Sequence, residues 1–191
     1  MSLALWRSHL ENALSSNGSL VYARYLQLAT IRSDGRPANR TLVFRGFLKH
    51  TLKFVTDSRS EKAEQIENQP WAEACWYFPI TREQVRILGK LTLVRENYPD
   101  RELQKARQNS WQELSDAARV QFSWPYPGKL RGDAEAFQPP APDPIQPLSN
   151  FCLLLLEPEQ VDILELRGEP QNRSLYRLDG DGNWSMEEVN P

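Results

Sequence analysis

Two short segments hold the residue types that chemistry needs. Asn39-Arg40-Thr41-Leu42-Val43-Phe44-Arg45 places arginines at both ends of a largely apolar run. Ser58-Arg59-Ser60-Glu61-Lys62-Ala63 offers hydroxyls and a lysine where a strand, Phe54-Val55-Thr56, gives way to a helix start. First-turn N–H groups have no intrahelical acceptor and sit at the positive end of the helix dipole. With cations beside them they favour an anion, and phosphate is the usual one. Arg40 brings charged donors in a fixed fork, Lys62 a compact charge, and Ser60 a neutral donor. Taken singly, each is more readily a surface residue; the arrangement is what proposes a phosphate-bearing ligand. Gln84 opens a strand after a proline-containing turn. Its amide both donates and accepts, which suits the polar edge of a ring system, although from the residues alone a plain exposed strand residue is the preferred reading.

Strands must carry these residues, and the pattern supplies them. Tyr25 to Ile31 alternates, Ser33-Asp34-Gly35-Arg36-Pro37 turns, and Arg40 to Leu48 returns. Thr51 to Thr56 is a third strand. Ser58 and Glu61 have capping-box spacing, with Ser60 a competing cap for a helix that Pro70 stops near Asn68. Trp71 to Phe78 and Gln84 to Val94 are further strands. Phe151 to Leu156, Gln160 to Leu166 and Leu175 to Leu178 close the set, and Trp184 sits on a last strand after the Asp179-Gly180-Asp181-Gly182 turn. Helical spacing marks 3–15, through Leu3, Trp6, Leu10, Ala13 and Leu14, and marks 97–119. Residues 123–147 are proline-rich and aperiodic, a long loop whose Trp124-Pro125-Tyr126-Pro127-Gly128 start suits a lid or an interface. The expectation is mainly β, with six to eight antiparallel strands in a barrel or sandwich and a few helices. One composition regime spans residues 1–191, so a single domain is expected.

Composition narrows the chemistry. Net charge is −2, yet the first 60 residues hold nine Lys/Arg against three acids. That suits a phosphorylated small molecule or a nucleic acid. Overall acidity and weak interleaving of basic and aromatic residues argue against the nucleic acid. No apolar run approaches 18 residues, so no membrane span is expected, and the N-terminal residues read as those of a cytoplasmic protein. Cys75 and Cys152 lie in apolar stretches as reduced thiols, with no disulfide expected. His9 and His50 show no ligand spacing, so neither a metal nor a histidine-based catalytic set is assigned. Gly-rich phosphate loops and nucleophile elbows are absent. A chain without an acid–base kit leaves the hard chemistry to a cofactor.

Several blocks resemble the pyridoxamine 5′-phosphate oxidase family: residues 40–45, Phe54-Val55-Thr56, Ser60 to Pro70, and Arg82-Glu83-Gln84-Val85-Arg86-Ile87-Leu88-Gly89. Their order and spacing match across residues 20–95. Arg173-Ser174-Leu175-Tyr176 and Val189-Asn190-Pro191 match more loosely. The resemblance implies an FMN-binding split β-barrel, a homodimer with FMN at the interface, and flavin-dependent oxidoreduction of a small molecule. Arg40 and Lys62 then hold the FMN phosphate, with Val55, Thr56 and Ser60 beside them. Thr41, Leu42, Val43 and Arg45 lie along the flavin, Gln84 faces its ring, and Arg173 reaches it from the second subunit. Arg45, Arg119, Gln121 and Trp124 are candidates for substrate contact.

The chain also departs from the family pattern. The usual Ser-Arg-Lys at the helix start is Ser60-Glu61-Lys62, with Arg59 a possible replacement. Arg45 stands for the lysine ending the first motif. Where the oxidases place Arg-x-His against substrate, this chain has Glu169-Pro170-Gln171. A second reading, a non-catalytic flavin-binding or sensing protein, follows from cofactor motifs kept while the substrate motif changes.

Overall fold

Period-two alternation builds the sheet, and each strand puts one face into a shared core. The computed structural model describes residues 4–191. Within it, α1 (Leu5–Ser16) precedes β1 (Tyr25–Ile31) and β2 (Pro37–Val43), and the short β3 (Phe47–Leu48) leads into β4 (Thr51–Asp57). Then follow α2 (Glu61–Asn68), β5 (Trp71–Phe78), β6 (Glu83–Val94), α3 (Arg101–Gln112) and α4 (Asp116–Arg119). The last elements are β7 (Phe151–Glu165), β8 (Asn172–Leu178) and β9 (Trp184–Glu188). Leu3, expected at the head of α1, lies outside the described residues.

All pairings are antiparallel, in the order β2-β1-β5-β6-β7-β4-β3, with β8 joining β7 and β9 joining β8. Although they stand near opposite ends of that order, β2 and β4 come into contact. Arg45 N–H donates to Lys53 O at 2.8 Å beside this seam. The sheet therefore curls into a barrel that is not closed by a β2–β4 ladder. Leu26, Leu28, Phe44, Phe54, Trp76, Phe78, Val85, Ile87, Leu154 and Val161 fill it.

Three expectations change. Among the described residues nine strands form rather than six to eight, and Gly46, at a φ of 102°, breaks the returning strand into β2 and β3. The two strands expected at 151–156 and 160–166 are one continuous β7, which bends at an irregularity opposite Leu88 and Gly89. Its first six residues are all buried because both faces are covered: Leu154 and Leu156 face the barrel, while Leu153, Leu155 and Phe151 meet the α3 side. The helix expected at 97–119 begins only at Arg101, capped by Asp100, and divides at Ser115, the cap of α4. The proline-rich loop carries one helical turn, Ala134–Phe137. Cys75 and Cys152 are free thiols.

Candidate functional site

At the β2–β4 seam three elements converge. Arg40 comes from β2, Thr56 from the inward face of β4, and Ser60 and Lys62 from the start of α2. Strand alternation turns Arg40 to the same side as Ala38, and across the pair to the side of Leu28 and Thr30. Its guanidinium donates to Leu28 O and Ala38 O at 3.2 Å each, to Thr30 Oγ1, and to Gln65 Oε1 at 2.9 Å. Lys62 Nζ donates to Thr56 Oγ1 at 2.8 Å and Ser60 Oγ at 3.1 Å. Ser60 is the N-cap residue by backbone, yet its hydroxyl donates backward to Asp57 O at 2.7 Å. The first-turn N–H groups of Glu61 and Lys62 therefore keep no side-chain cap.

The electrostatics favour an anion. Burial holds Lys62 below the ordinary lysine value, and the Arg40 charge pushes it further down. Burial likewise lowers Arg40, with the Glu61 charge opposing and Arg32 adding to the fall. Among the described residues neither cation has a carboxylate within ion-pair distance. Gln65, only 3% exposed, accepts from Thr30 and Arg40 but leaves its Nε2 without a partner. Two unpaired cations, free helix N–H groups and an orphaned buried amide fit one ligand class, a compact dianion with several acceptor oxygens.

Thr30, Gln65 and Arg32 were not among the expected site residues. Thr30 had a sequence signal, an inward hydroxyl two residues from Leu28 on an alternating strand. Gln65 had a weaker one, a polar residue three positions after Lys62 on the buried side of α2.

Arg59 does not replace the missing motif arginine. It forks onto Asp57, with Nη2 at 2.6 Å, and donates to Phe122 O and Trp124 O at 3.0 Å each. Its guanidinium also stacks over Tyr126 at 5.0 Å. Burial alone would raise the Asp57 pKa; the hydrogen bonds from Arg59 and Asn150 bring it below the usual carboxylate value. Asp57-Arg59 is thus a clasp that ties the start of the proline-rich loop beside the anion site.

Val43, Arg45 and Val55 line a cavity of about 310 Å³ with Arg24, Phe44, Ser110, Glu113 and Leu114. Thr41 is exposed on β2, and Leu42 packs against the core. A larger space of about 490 Å³ lies between α2 and the end of β6, around Glu67, Arg95 and Tyr98. It holds none of the expected residues. Gln84 and Arg173 lie elsewhere, flanking Leu164 of β7 on either side. Arg173 donates to Asp162 Oδ2 at 2.8 Å, an aspartate it shares with Arg86.

The substrate candidates are not brought together. Arg119 is 7% exposed; its Nη1 and Nη2 donate to Trp111 O, Leu114 O and Asp116 Oδ1, and its buried Nε has no partner among the described residues. It closes the C-terminus of α3, whose last carbonyls need donors, so the expectation of substrate contact gives way to a structural role. Gln121 is exposed and donates to Ala117 O at 3.2 Å. Trp124 is half-buried, edge-on to Phe137, with an unpartnered Nε1. His9 shows no ligand spacing in the sequence; in the fold its Nε2 lies 3.6 Å from Glu83 Oε1, in a trio completed by Glu165.

Comparison with known proteins agrees with this chemistry. The model of the pyridoxamine 5′-phosphate oxidase FMN-binding domain matches residues 3–95. The pyridoxine/pyridoxamine 5′-phosphate oxidase 2 of Arabidopsis thaliana is 38% identical, over 99% of this chain and 98% of its own. A crystal structure of a pyridoxamine 5′-phosphate oxidase-related, FMN binding protein from Nostoc punctiforme is 63% identical with a TM-score of 0.97, covering all of both chains. PhzG from Burkholderia lata, at 22% identity and a TM-score of 0.79, covers 98% of this chain and 91% of its own and shares the fold.

Proposed function

The chain belongs to the pyridoxamine 5′-phosphate oxidase FMN-binding family, and from that premise we propose that it is an FMN-dependent oxidoreductase acting on a small molecule. The cofactor is FMN. The observation that carries the residue assignment is the pair of half-buried cations Arg40 and Lys62, without a carboxylate partner among the described residues, at an uncapped helix start. Arg40, Lys62 and Ser60 hold the phosphate. Thr56 fixes Lys62 from β4, and Gln65 fixes Arg40 while its free Nε2 offers one more donor. Val43, Arg45 and Val55, with Thr41 and Leu42 alongside, border the flavin.

When bound, FMN supplies a flavin N5 that accepts a hydride from substrate, and oxygen or another acceptor restores it. The protein's part is position and electrostatics. Arg45, exposed at the cavity edge, is placed to meet the substrate or the ring.

A homodimer follows from the same reading. Thr56 pairs with Cys152 near the start of β7, whereas Arg173 pairs with Leu164 twelve residues further on. At roughly 3.3 Å per residue this is on the order of 40 Å along the strand. One flavin is too short to touch both ends, so Gln84 and Arg173 serve the cofactor held by the partner's phosphate site.

Titrating apoprotein with FMN and FAD tests the assignment. A site built to end on a monophosphate binds FMN more tightly, and equal or absent binding overturns it.

A further inference from the structure

The helix start has an electrostatic defect. Glu61 stands where the family motif carries an arginine, and Arg59, the neighbouring candidate to replace it, is committed to Asp57 and the proline-rich loop. An acid at the first helical position suits the dipole of an empty helix. It repels a phosphate drawn to the same N–H groups.

A different arginine lies at this point. Arg32 follows β1 and is separated by one residue from Thr30, which bonds Arg40 and Gln65. Its backbone is pinned in a tight turn, with Arg32 N–H donating to Arg36 O and Arg32 O accepting from Gly35 N–H, both at 2.9 Å. The other arginine of this turn, Arg36, is occupied by a forked pair with Asp34. Arg32 Nε lies 3.4 Å from Glu61 Oε1, and the two side chains are 46% and 62% exposed. Its terminal nitrogens have no partner among the described residues. Its charge reaches the site, since it helps to lower Arg40.

We propose that Arg32 is the third cation of the FMN phosphate cradle, held in place by Glu61 and taking over the role of the motif arginine absent at position 61. This rests on the FMN reading above. One side of the guanidinium faces Glu61, and its outer nitrogens donate to a phosphate oxygen. An arginine can do both, because its five N–H donors fan out in one plane. The charges agree. Arg40, Lys62 and Arg32 set against Glu61 leave two positive units, which matches a phosphate dianion; without Arg32 the cradle would hold one.

The test compares FMN with riboflavin, the same flavin without its phosphate, by fluorescence titration of apoprotein. Arg32→Ala should weaken FMN by about tenfold or more, the usual scale of one charge-assisted contact. It should leave riboflavin affinity unchanged. The double variant R32A/E61R restores FMN affinity by putting the arginine back on the helix. Unchanged FMN affinity in R32A, while Lys62→Met still loses it, overturns the role of Arg32 and keeps the phosphate site. Equal losses for FMN and riboflavin also overturn it, because they show damage to the hairpin rather than to a phosphate contact. Unchanged FMN affinity in both R32A and Lys62→Met overturns the phosphate site itself.

Discussion

Replacing Lys62 by methionine separates the anion site from the fold. In the free protein Lys62 is a half-buried cation with two hydroxyl acceptors and no carboxylate among the described residues. Burial, then the Arg40 charge, lowers its pKa, so the charged form is less favoured folded than unfolded. Methionine keeps most of the apolar stem and removes that penalty. It also removes two hydrogen bonds, but Ser60 Oγ still donates to Asp57 O. The two effects oppose each other, so the unfolding midpoint of apoprotein should stay within about 4 °C, equivalent to ~1 kcal/mol at this size. FMN affinity has no such offset. A lost charge-assisted hydrogen bond costs about 1.5–3 kcal/mol, or roughly 10- to 150-fold in Kd. The pH dependence carries the same signature. Phosphate raises the Lys62 pKa that burial depresses, so binding takes up a proton between the free and bound values. Affinity should therefore be full below the depressed value and fall as pH rises through it, a window opening below the ordinary 10.5. Lys62→Met should lose that slope. Fluorescence titration and thermal unfolding of apoprotein measure both quantities. Wild-type FMN affinity in the variant, or a midpoint lowered by about 10 °C, would refute the reasoning. Arg40→Ala is a less clean probe, because it also takes a donor from Thr30 Oγ1 and from Gln65 Oε1 and leaves them only their bond to each other.

Three further outcomes are expected. Gly89→Ala should destabilise the barrel by about 3 kcal/mol, because a Cβ there would lie 2.0 Å from the Glu157 carbonyl oxygen, which no rotamer relieves; unchanged denaturant stability would contradict the β6–β7 register. Light scattering of holoprotein should give about twice the 22.1 kDa chain mass, and an FMN-loaded monomer would count against a shared site. Pyridoxamine 5′-phosphate oxidation should be far below that of an authentic oxidase, by about a thousandfold or more in kcat/KM. Glu169 and Gln171 stand where the family's substrate-binding Arg and His would be, and a lost partner plus a like charge each cost about 2 kcal/mol or more. Comparable turnover in a steady-state assay would show the substrate site rebuilt from other residues.

What the sequence determined by itself is local. Alternation set β1 and β5 to the residue, and the serines at 58 and 60 placed the start of α2 to within two residues, because strand period and helix capping depend on neighbours a few positions away. The anion site was legible for the same reason: two of its elements, β4 and α2, are consecutive in the chain. Tertiary structure decided the rest. The unbroken apolar run of β7 could not say that the strand continues to Glu165, since coverage by α3 on one face and the barrel on the other is a long-range fact. Arg59, Arg107 and Arg119 look alike in sequence, but each ends on backbone carbonyls that only the folded chain leaves free: Phe122 and Trp124, Leu148 and Phe151, Trp111 and Leu114. Arg32 came to Glu61, and Gln65 to Arg40 and Thr30, only when β1, β2 and α2 packed together. A long side chain goes where an acceptor is left over, and the leftover acceptors are known only once every strand and helix end has found its partners.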